Sequence, residues 1–399
     1  MKNNQPHSGD DMGGTKANTT QTYSQTPRSV RNKTKCARRV SVGLILLLLL
    51  VLGGGVYILY RTGQLNRLRP HTDSSSSSES DAKGLPDIGN LGMSPTSAGF
   101  KQPTADGDLS GYIIILDPGH GGKDEGCGYP FNSSKYFEKD INLSIAQKVC
   151  TELQSRGAVV YMLREDDSWI SLYSRLAQTH MICMDILEEN NALPFSEKRA
   201  AELRTLLQQS VLINDDSVAS GGMGIMVGSG VGEELEELME MEYQLENVLF
   251  ISIHLNSSES YTYHGAQVYF VTDTSVISSE KNQQKSNSEF QRDDFPIRDE
   301  YYGRKNEENR LLANCMYDCI VEDIPDLATN GDKIAADNYA VLREHGLVGV
   351  LVEVAFLSDT GDREFLLEDS NLEKVAVSIA DGIVRYYEQL PSISAEKSE

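Results

Sequence analysis

The chain has 399 residues, of which 39% are hydrophobic, and its mean hydropathy is -0.36. This composition is typical of a chain with a sizeable soluble core, and it excludes both a polytopic membrane protein and a wholly disordered one. The formal charge of -23 at pH 7 would repel a phosphate polymer, so we expect no nucleic-acid partner.

The N-terminal region predicts a membrane anchor. Residues 1–41 form a basic tail, with eight lysines and arginines against two aspartates, and residues 42–60 follow without a charge. About 20 apolar residues suffice to cross a bilayer, and the basic excess before the segment predicts a cytoplasmic N-terminus. A cleaved signal peptide is the alternative, but the tail is long and no small-residue cleavage site follows. We therefore expect a single-pass protein of the cell membrane whose C-terminal body is extracytoplasmic.

Residues 61–110 predict a disordered linker, because they contain a run of five serines, scattered glycine and proline, and little hydrophobic content. The body then alternates strands and helices from residue 111 to 390, before a short tail at 391–399. The predicted strands are 111–116, 158–163, 248–255, 265–271 and 348–355, and the predicted helices include 140–156, 309–324 and 371–390. This alternation predicts an α/β fold, with a central, mostly parallel sheet flanked by helices.

The alternation breaks at about residues 176–246, which we interpret as an inserted segment. It contains two predicted helices, 195–212 and 233–245, around a glycine-rich stretch at 220–232. Two interpretations remain open. The segment is either a surface excursion or a lid or regulatory element over the site.

Polar residues at strand ends and at one helix start suggest a metal site. His120 and His254 each fall at or just past the end of an apolar run, and Glu138 begins a helix. Ligands of open α/β sheets bind beyond the carboxyl ends of the strands, so these side chains could share one crevice. Two imidazoles and a carboxylate are a common catalytic zinc set that leaves a fourth position for water. A lone histidine is more often structural, and other candidate ligands are His180, His264, His345 and Cys127.

Glu353 is the only acidic residue within the apolar run VGVLVEVAF, and burying it without a partner would be costly. Beside a catalytic metal it could act as a general base and then as a proton donor. A buried ion pair with Arg164 or Arg343 is the alternative.

Five fragments, in this order, carry a family resemblance: IIILDPGHGGKDEG, FEKDINLSIAQKV, MLREDD, LFISIHLNSS and VGVLVEVAFLSD. Together they resemble the zinc-dependent N-acetylmuramoyl-L-alanine amidases of the amidase_3 group, over roughly residues 112–175 and 247–388. The resemblance implies an amidase catalytic domain at 111–390, with one Zn²⁺ held by His120, Glu138 and His254. It also implies that Glu353 is the catalytic glutamate.

The substrate that the resemblance implies is peptidoglycan, cut at the amide between the lactyl group of N-acetylmuramic acid and L-alanine. In some relatives a helix inserted near 176–246 blocks the site until a partner moves it, so an activator protein is a further expectation. Two departures from the family pattern are mild: serine follows Asn256, and Asp359 follows Ser358 where asparagine is usual. The alternatives are a non-catalytic peptidoglycan-binding protein and a zinc hydrolase that cuts stem peptides.

Overall fold

The computed structural model describes residues 107–215, 222–226, 228, 230–286, 296–301 and 305–396, with side chains described as far as residue 390. The basic tail 1–41, the anchor 42–60 and nearly all of the linker 61–110 lie outside these residues. Among the described helices, none is both long and apolar enough to cross a membrane. The anchor therefore stays a prediction.

The strands are β1 (Ile113–Pro118), β2 (Gly128–Tyr129), β3 (Tyr136–Phe137), β4 (Val159–Met162), β5 (Val248–Asn256), β6 (Gln267–Phe270), β7 (Ile334–Ala336) and β8 (Val348–Phe356). The α-helices are α1 (Glu138–Ser155), α2 (Leu172–Glu189), α3 (Glu197–Asn214), α4 (Glu233–Glu242), α5 (Asp273–Ser286), α6 (Asn306–Asp323), α7 (Ala340–Arg343), α8 (Thr360–Leu366) and α9 (Asp369–Glu396). A 3₁₀ helix spans Pro325–Leu327.

Six strands form the central sheet in the order β4-β1-β5-β8-β6-β7. All neighbouring strands run parallel except β6 and β8, which are antiparallel. The central strands are β-branched apolar runs buried on both faces, as expected for a parallel sheet covered on each side by helices. The predicted α/β fold with a mostly parallel sheet is confirmed.

Helices pack on both faces of this sheet and give it two hydrophobic cores. The first core contains residues of α1, α6 and α9, such as Ile145, Met316 and Ile379, and the second contains residues of α2, α3 and α4. Alternate residues of one strand serve different cores: Ile114 belongs to the first and Ile115 to the second. This alternation follows from the two-residue period of a strand.

The inserted segment differs from its first interpretation. Its start at 176 falls inside α2, which begins at Leu172 and is largely buried. Leu203 of α3 and Leu235 of α4 are fully buried in the second core. The surface-excursion interpretation is therefore wrong for these helices, because their buried residues form part of the second hydrophobic core.

Helix ends follow local sequence signals. Ser171 and Ser196 cap the first turns of α2 and α3 with their side chains. Asp359, one of the two departures from the family pattern, caps α8, where its carboxylate accepts a hydrogen bond from the Asp362 amide at 3.0 Å. The last helix, α9, continues to Glu396, so the predicted tail at 391–399 begins too early.

Candidate active site

His120 follows β1 in a tight loop. Its backbone lies in the left-handed region, with φ of 64°, which is uncommon for a residue with a β-carbon. The preceding Gly119 is required by packing, since a β-carbon there would overlap the ring of His254. The glycine thus leaves room for the second histidine.

Glu138 is the first residue of α1, and its carboxylate is held by several donors. Oε1 accepts hydrogen bonds from the Leu255 amide at 3.1 Å and from Asn142 Nδ2 at 3.2 Å. Oε2 accepts a hydrogen bond from the Cys127 amide at 2.8 Å. These bonds fix the carboxylate at the carboxyl end of β5, where His254 lies.

The structure brings the three predicted ligands together. His120 Nε2 lies 3.1 Å from Glu138 Oε1, and His254 Nδ1 lies 2.9 Å from the same oxygen. One potential donor atom from each residue lies within 4.8 Å of the others, and the described part of the chain contains no other such histidine, cysteine or carboxylate group. His120 Nδ1 lies 2.9 Å from Asp124 Oδ2, an arrangement that fixes the orientation of a ligating imidazole.

Hydrogen bonds within the group shift the pKa values of His120 and Glu138. Burial alone would lower the pKa of His120, but hydrogen bonds to Asp124 and Glu138 outweigh it and raise that pKa to about 9. For Glu138 burial acts in the other direction and would raise the pKa. Hydrogen bonds from His120 and His254 nevertheless hold the pKa of Glu138 well below its usual value. Binding a cation would displace a proton from the protonated His120, since a ligating histidine must be neutral.

Two imidazole nitrogens and one carboxylate oxygen that converge on an open cavity suit a catalytic zinc, which takes three protein ligands and keeps one position free. The cavity has a volume of about 480 Å³ and is lined by all three residues together with Glu353. The donor set and the access therefore both fit the predicted ion.

The register between strands β5 and β8 places Glu353 beside this group. Glu353 pairs with His254 across the parallel strands β5 and β8, so both side chains leave the sheet on the same face. Its Oε2 atom is buried without a hydrogen-bond partner among the described residues. Burial, together with the nearby Glu138 carboxylate, raises the pKa of Glu353 to about 8.

Glu353 does not form the ion pair proposed as its alternative role. The Arg164 guanidinium donates hydrogen bonds to backbone carbonyls, including that of Gly119 at 3.1 Å. The Arg343 guanidinium lies 2.6 Å from Glu344. Both arginines therefore have other partners in the described part of the chain, and that interpretation is wrong.

The other candidate ligands lie outside the group. His180 and His345 belong to a second, fully buried set with Glu242, and the backbone amide of His264 contacts Asn330. Cys127 lies close to the site, but burial raises the pKa of its thiol, which opposes the thiolate that a metal requires.

Sequence reasoning missed the supporting residues. Asp124 lies four residues after His120, a spacing that could have identified it as a partner. Asp117 lies buried beneath the site, where Arg175 Nη1 at 2.8 Å and Ser252 Oγ at 2.8 Å donate to its carboxylate. Arg175 lies 58 positions further along the chain, so no local signal indicates this pair.

The family model for Amidase_3, N-acetylmuramoyl-L-alanine amidase, matches residues 114–385. The chain belongs to this family. It is therefore an enzyme of the N-acetylmuramoyl-L-alanine amidase class. Within that range lie His120, Glu138, His254 and Glu353.

Several known proteins are similar to the chain. A germination-specific N-acetylmuramoyl-L-alanine amidase of Bacillus subtilis is 28% identical over 279 residues, which are 70% of this chain and 81% of that protein. The probable cell wall amidase LytH of Staphylococcus aureus is 40% identical over 89 residues, 21% of this chain and 30% of that protein. Among solved structures, the CwlD amidase of Clostridioides difficile, in complex with the GerS lipoprotein, is 24% identical with a TM-score of 0.40, covering 69% of this chain and 98% of that one.

Proposed function

We propose that the chain hydrolyses peptidoglycan with the help of one zinc ion, at the amide that joins the lactyl group of N-acetylmuramic acid to L-alanine. The observation that carries this proposal is the convergence of His120, Glu138 and His254 beside Glu353, whose buried Oε2 has no hydrogen-bond partner among the described residues. Membership of the amidase family supports the reaction, and the donor set supports the metal.

His120, Glu138 and His254 would hold the ion, and Asp124 would orient His120. When bound, zinc supplies Lewis acidity that polarises the scissile carbonyl and favours ionisation of water. The hydrogen bonds from the Cys127 and Leu255 amides would hold the Glu138 carboxylate in position for the ion.

Glu353 would move the proton. Its carboxylate accepts a proton from the attacking water and returns it to the leaving nitrogen as the carbon–nitrogen bond breaks, so that a carboxylate and an amine are formed. A carboxyl whose pKa lies near the working pH can do both, and Glu353 is displaced in that direction, to about 8. Its missing hydrogen-bond partner leaves Oε2 available for these transfers.

The cavity would hold the substrate against these groups. Its walls include Trp169, Leu172, Tyr339 and Val341, and its volume of about 480 Å³ lies within the usual range for a small-ligand pocket. Apolar walls with a few polar groups would exclude bulk water from the amide and orient the stem peptide.

The location and regulation stay predictions. The anchor at 42–60 would place the body outside the membrane, where peptidoglycan lies. An activator acting on the helices of 176–246 would act on elements that also form the second core.

The test is the Glu353→Gln variant, assayed on purified peptidoglycan with muropeptide products identified by mass spectrometry. Turnover should fall by about a hundredfold or more, because the amide side chain cannot accept the proton, while bound zinc is retained. The exposed Glu364→Gln serves as the matched control and should cut normally.

Each alternative has its own signature. Near-normal turnover in Glu353→Gln would remove that residue from the mechanism. Products cut between stem residues would indicate a peptidase, and wall binding without any cleavage by the wild type would indicate a non-catalytic binding protein.

A further inference from the structure

Aromatic side chains, two of them exposed, gather on the segments that follow His120 and His254. Tyr129, Phe131 and Tyr261 form a contacting group, here called the aromatic platform, with ring centroids 5.5 to 6.5 Å apart. Phe131 is 36% exposed and Tyr261 is 52% exposed. Nearby in sequence, Tyr263 is 47% exposed and stacks on Phe356. Contiguous exposed apolar surface of this kind marks an interaction site.

The platform is braced on its inner side. The Arg363 guanidinium lies 3.8 Å from the ring centroid of Tyr129, and its Nη1 donates to the carbonyls of Leu357 and Asp359. Tyr261 has a backbone φ of 55°, a left-handed conformation that a residue with a β-carbon rarely adopts. Such conformations persist where the surrounding structure holds them, often at binding sites.

The same loops position the catalytic group. Tyr129 belongs to β2, which pairs with β3, and β3 leads directly into Glu138. Tyr261 lies on the loop that follows β5, the strand that carries His254. A ligand on the platform would therefore lie next to the elements that deliver two of the three proposed metal ligands.

Hydroxyl side chains flank Tyr261 on its loop, which also carries the exposed Glu259, while the Arg363 guanidinium lies over the Tyr129 ring. Ser258 Oγ, Ser260 Oγ and Thr262 Oγ1 form a chain with spacings of 2.8 Å on the exposed loop before and after Tyr261. A pyranose ring presents an apolar C–H face, which stacks on an aromatic ring, and a rim of hydroxyls that pair with neutral donors and acceptors. The hydroxyl chain beside exposed rings therefore matches the two kinds of surface that a saccharide presents.

We propose that the aromatic platform binds the glycan strand, as N-acetylated pyranose rings next to the muramic acid whose stem is cut. The inference rests on the proposed function, because the glycan is the polymer that carries the scissile amide. It adds a specificity determinant: the enzyme would favour stems on long glycan strands over stems on an isolated disaccharide.

The first test compares two substrates with the full-length protein, polymeric peptidoglycan and a single disaccharide–peptide. Tyr261→Ala and, separately, Phe131→Ala should lower the preference for the polymer by about tenfold, mainly through KM, as removal of an interfacial aromatic ring does. Tyr261→Phe, which keeps the ring, should restore the preference. Val377→Ala, a 39% exposed apolar residue on α9, is the control and should behave as the wild type.

The second test measures binding of tetra-N-acetylchitotetraose by calorimetry, which needs no amide cleavage. The wild type and Tyr261→Phe should bind it about tenfold more tightly than either alanine variant. Failure of amide cleavage with saccharide binding intact would reject the proposed function and keep the platform as a saccharide site. Equal binding by all folded variants, an unchanged polymer preference, or a dimer that Tyr261→Ala dissociates without affecting saccharide binding would each overturn the inference.

Discussion

The part of the chain that the structure describes contains two sets of two histidines and one glutamate, which share their composition but differ in burial and in contacts. The group of His120, Glu138 and His254 opens into the cavity, with 24% and 14% of the two histidine side chains exposed. The second set, His180, Glu242 and His345, is fully buried. Residue types alone therefore do not identify a metal site. The two sets are distinguished by the solvent exposure of their side chains and by which of their atoms remain available to bind a metal.

The buried set has a structural task. His180 Nδ1 on α2 lies 2.6 Å from Glu242 Oε1 on α4, and the Gly346 amide donates to Glu242 Oε2 at 2.7 Å. His345 Nδ1 accepts a hydrogen bond from the Leu347 amide at 3.3 Å. These contacts join the helices of the second core to the start of β8.

The largest expected difference between the two sets is in bound metal. His254→Ala should remove the bound zinc, because it leaves two protein ligands, whereas His180→Ala should retain it in the protein that remains folded. Elemental analysis after dialysis against metal-free buffer measures both. Zinc retained in His254→Ala at the wild-type ratio would show that the ion is held elsewhere.

The buried set should matter for stability rather than for metal content. Glu242→Ala should lower the free energy of unfolding by about 3–5 kcal/mol, because it leaves a buried imidazole and the Gly346 amide without their partner. Glu240→Ala, an exposed position on the same helix, should change it by less than about 0.5 kcal/mol. Chemical denaturation measures the free energy of unfolding of both variants. If Glu242→Ala changed it as little as Glu240→Ala, the buried set would not contribute to stability.

The smallest expected effect is a pH dependence of stability. Burial lowers the pKa of His345 from 6.5 to about 4, even though the charges of Glu242 and Asp117 act in the other direction and only His180 assists. The unfolded chain therefore binds the proton more tightly than the folded one between these pH values. The contribution is fully present above pH 6.5 and is lost as the pH falls towards 4, by roughly 3 kcal/mol.

The His345→Gln variant checks this contribution, because it removes the titrating ring. Denaturation midpoints of the variant should depend less steeply on pH between 4 and 6.5 than those of the wild type. An unchanged slope would assign the pH dependence to other groups.

Much of the site could be predicted from local sequence. Apolar β-branched runs ending in turn residues indicated β1, β5 and β8, and the position of His120 and His254 at their ends indicated a shared edge. Glu353 attracted attention because a lone carboxyl in such a run is costly. By contrast, α2 was not recognised as a helix, although it carries Arg175 and supports one face of the sheet.

By itself, the sequence determined five of the six strands of the central sheet, several of the helices, and the chemistry of the four residues proposed for catalysis, because periodicity, turns and residue type are local properties. Only the tertiary structure decided which histidines meet. The parallel register of β5 and β8 places Glu353 beside His254, and helix packing on the other face places His345 near His180 in a closed core. Contacts between residues a hundred or more positions apart depend on how the sheet and its two cores assemble, and no local pattern records them.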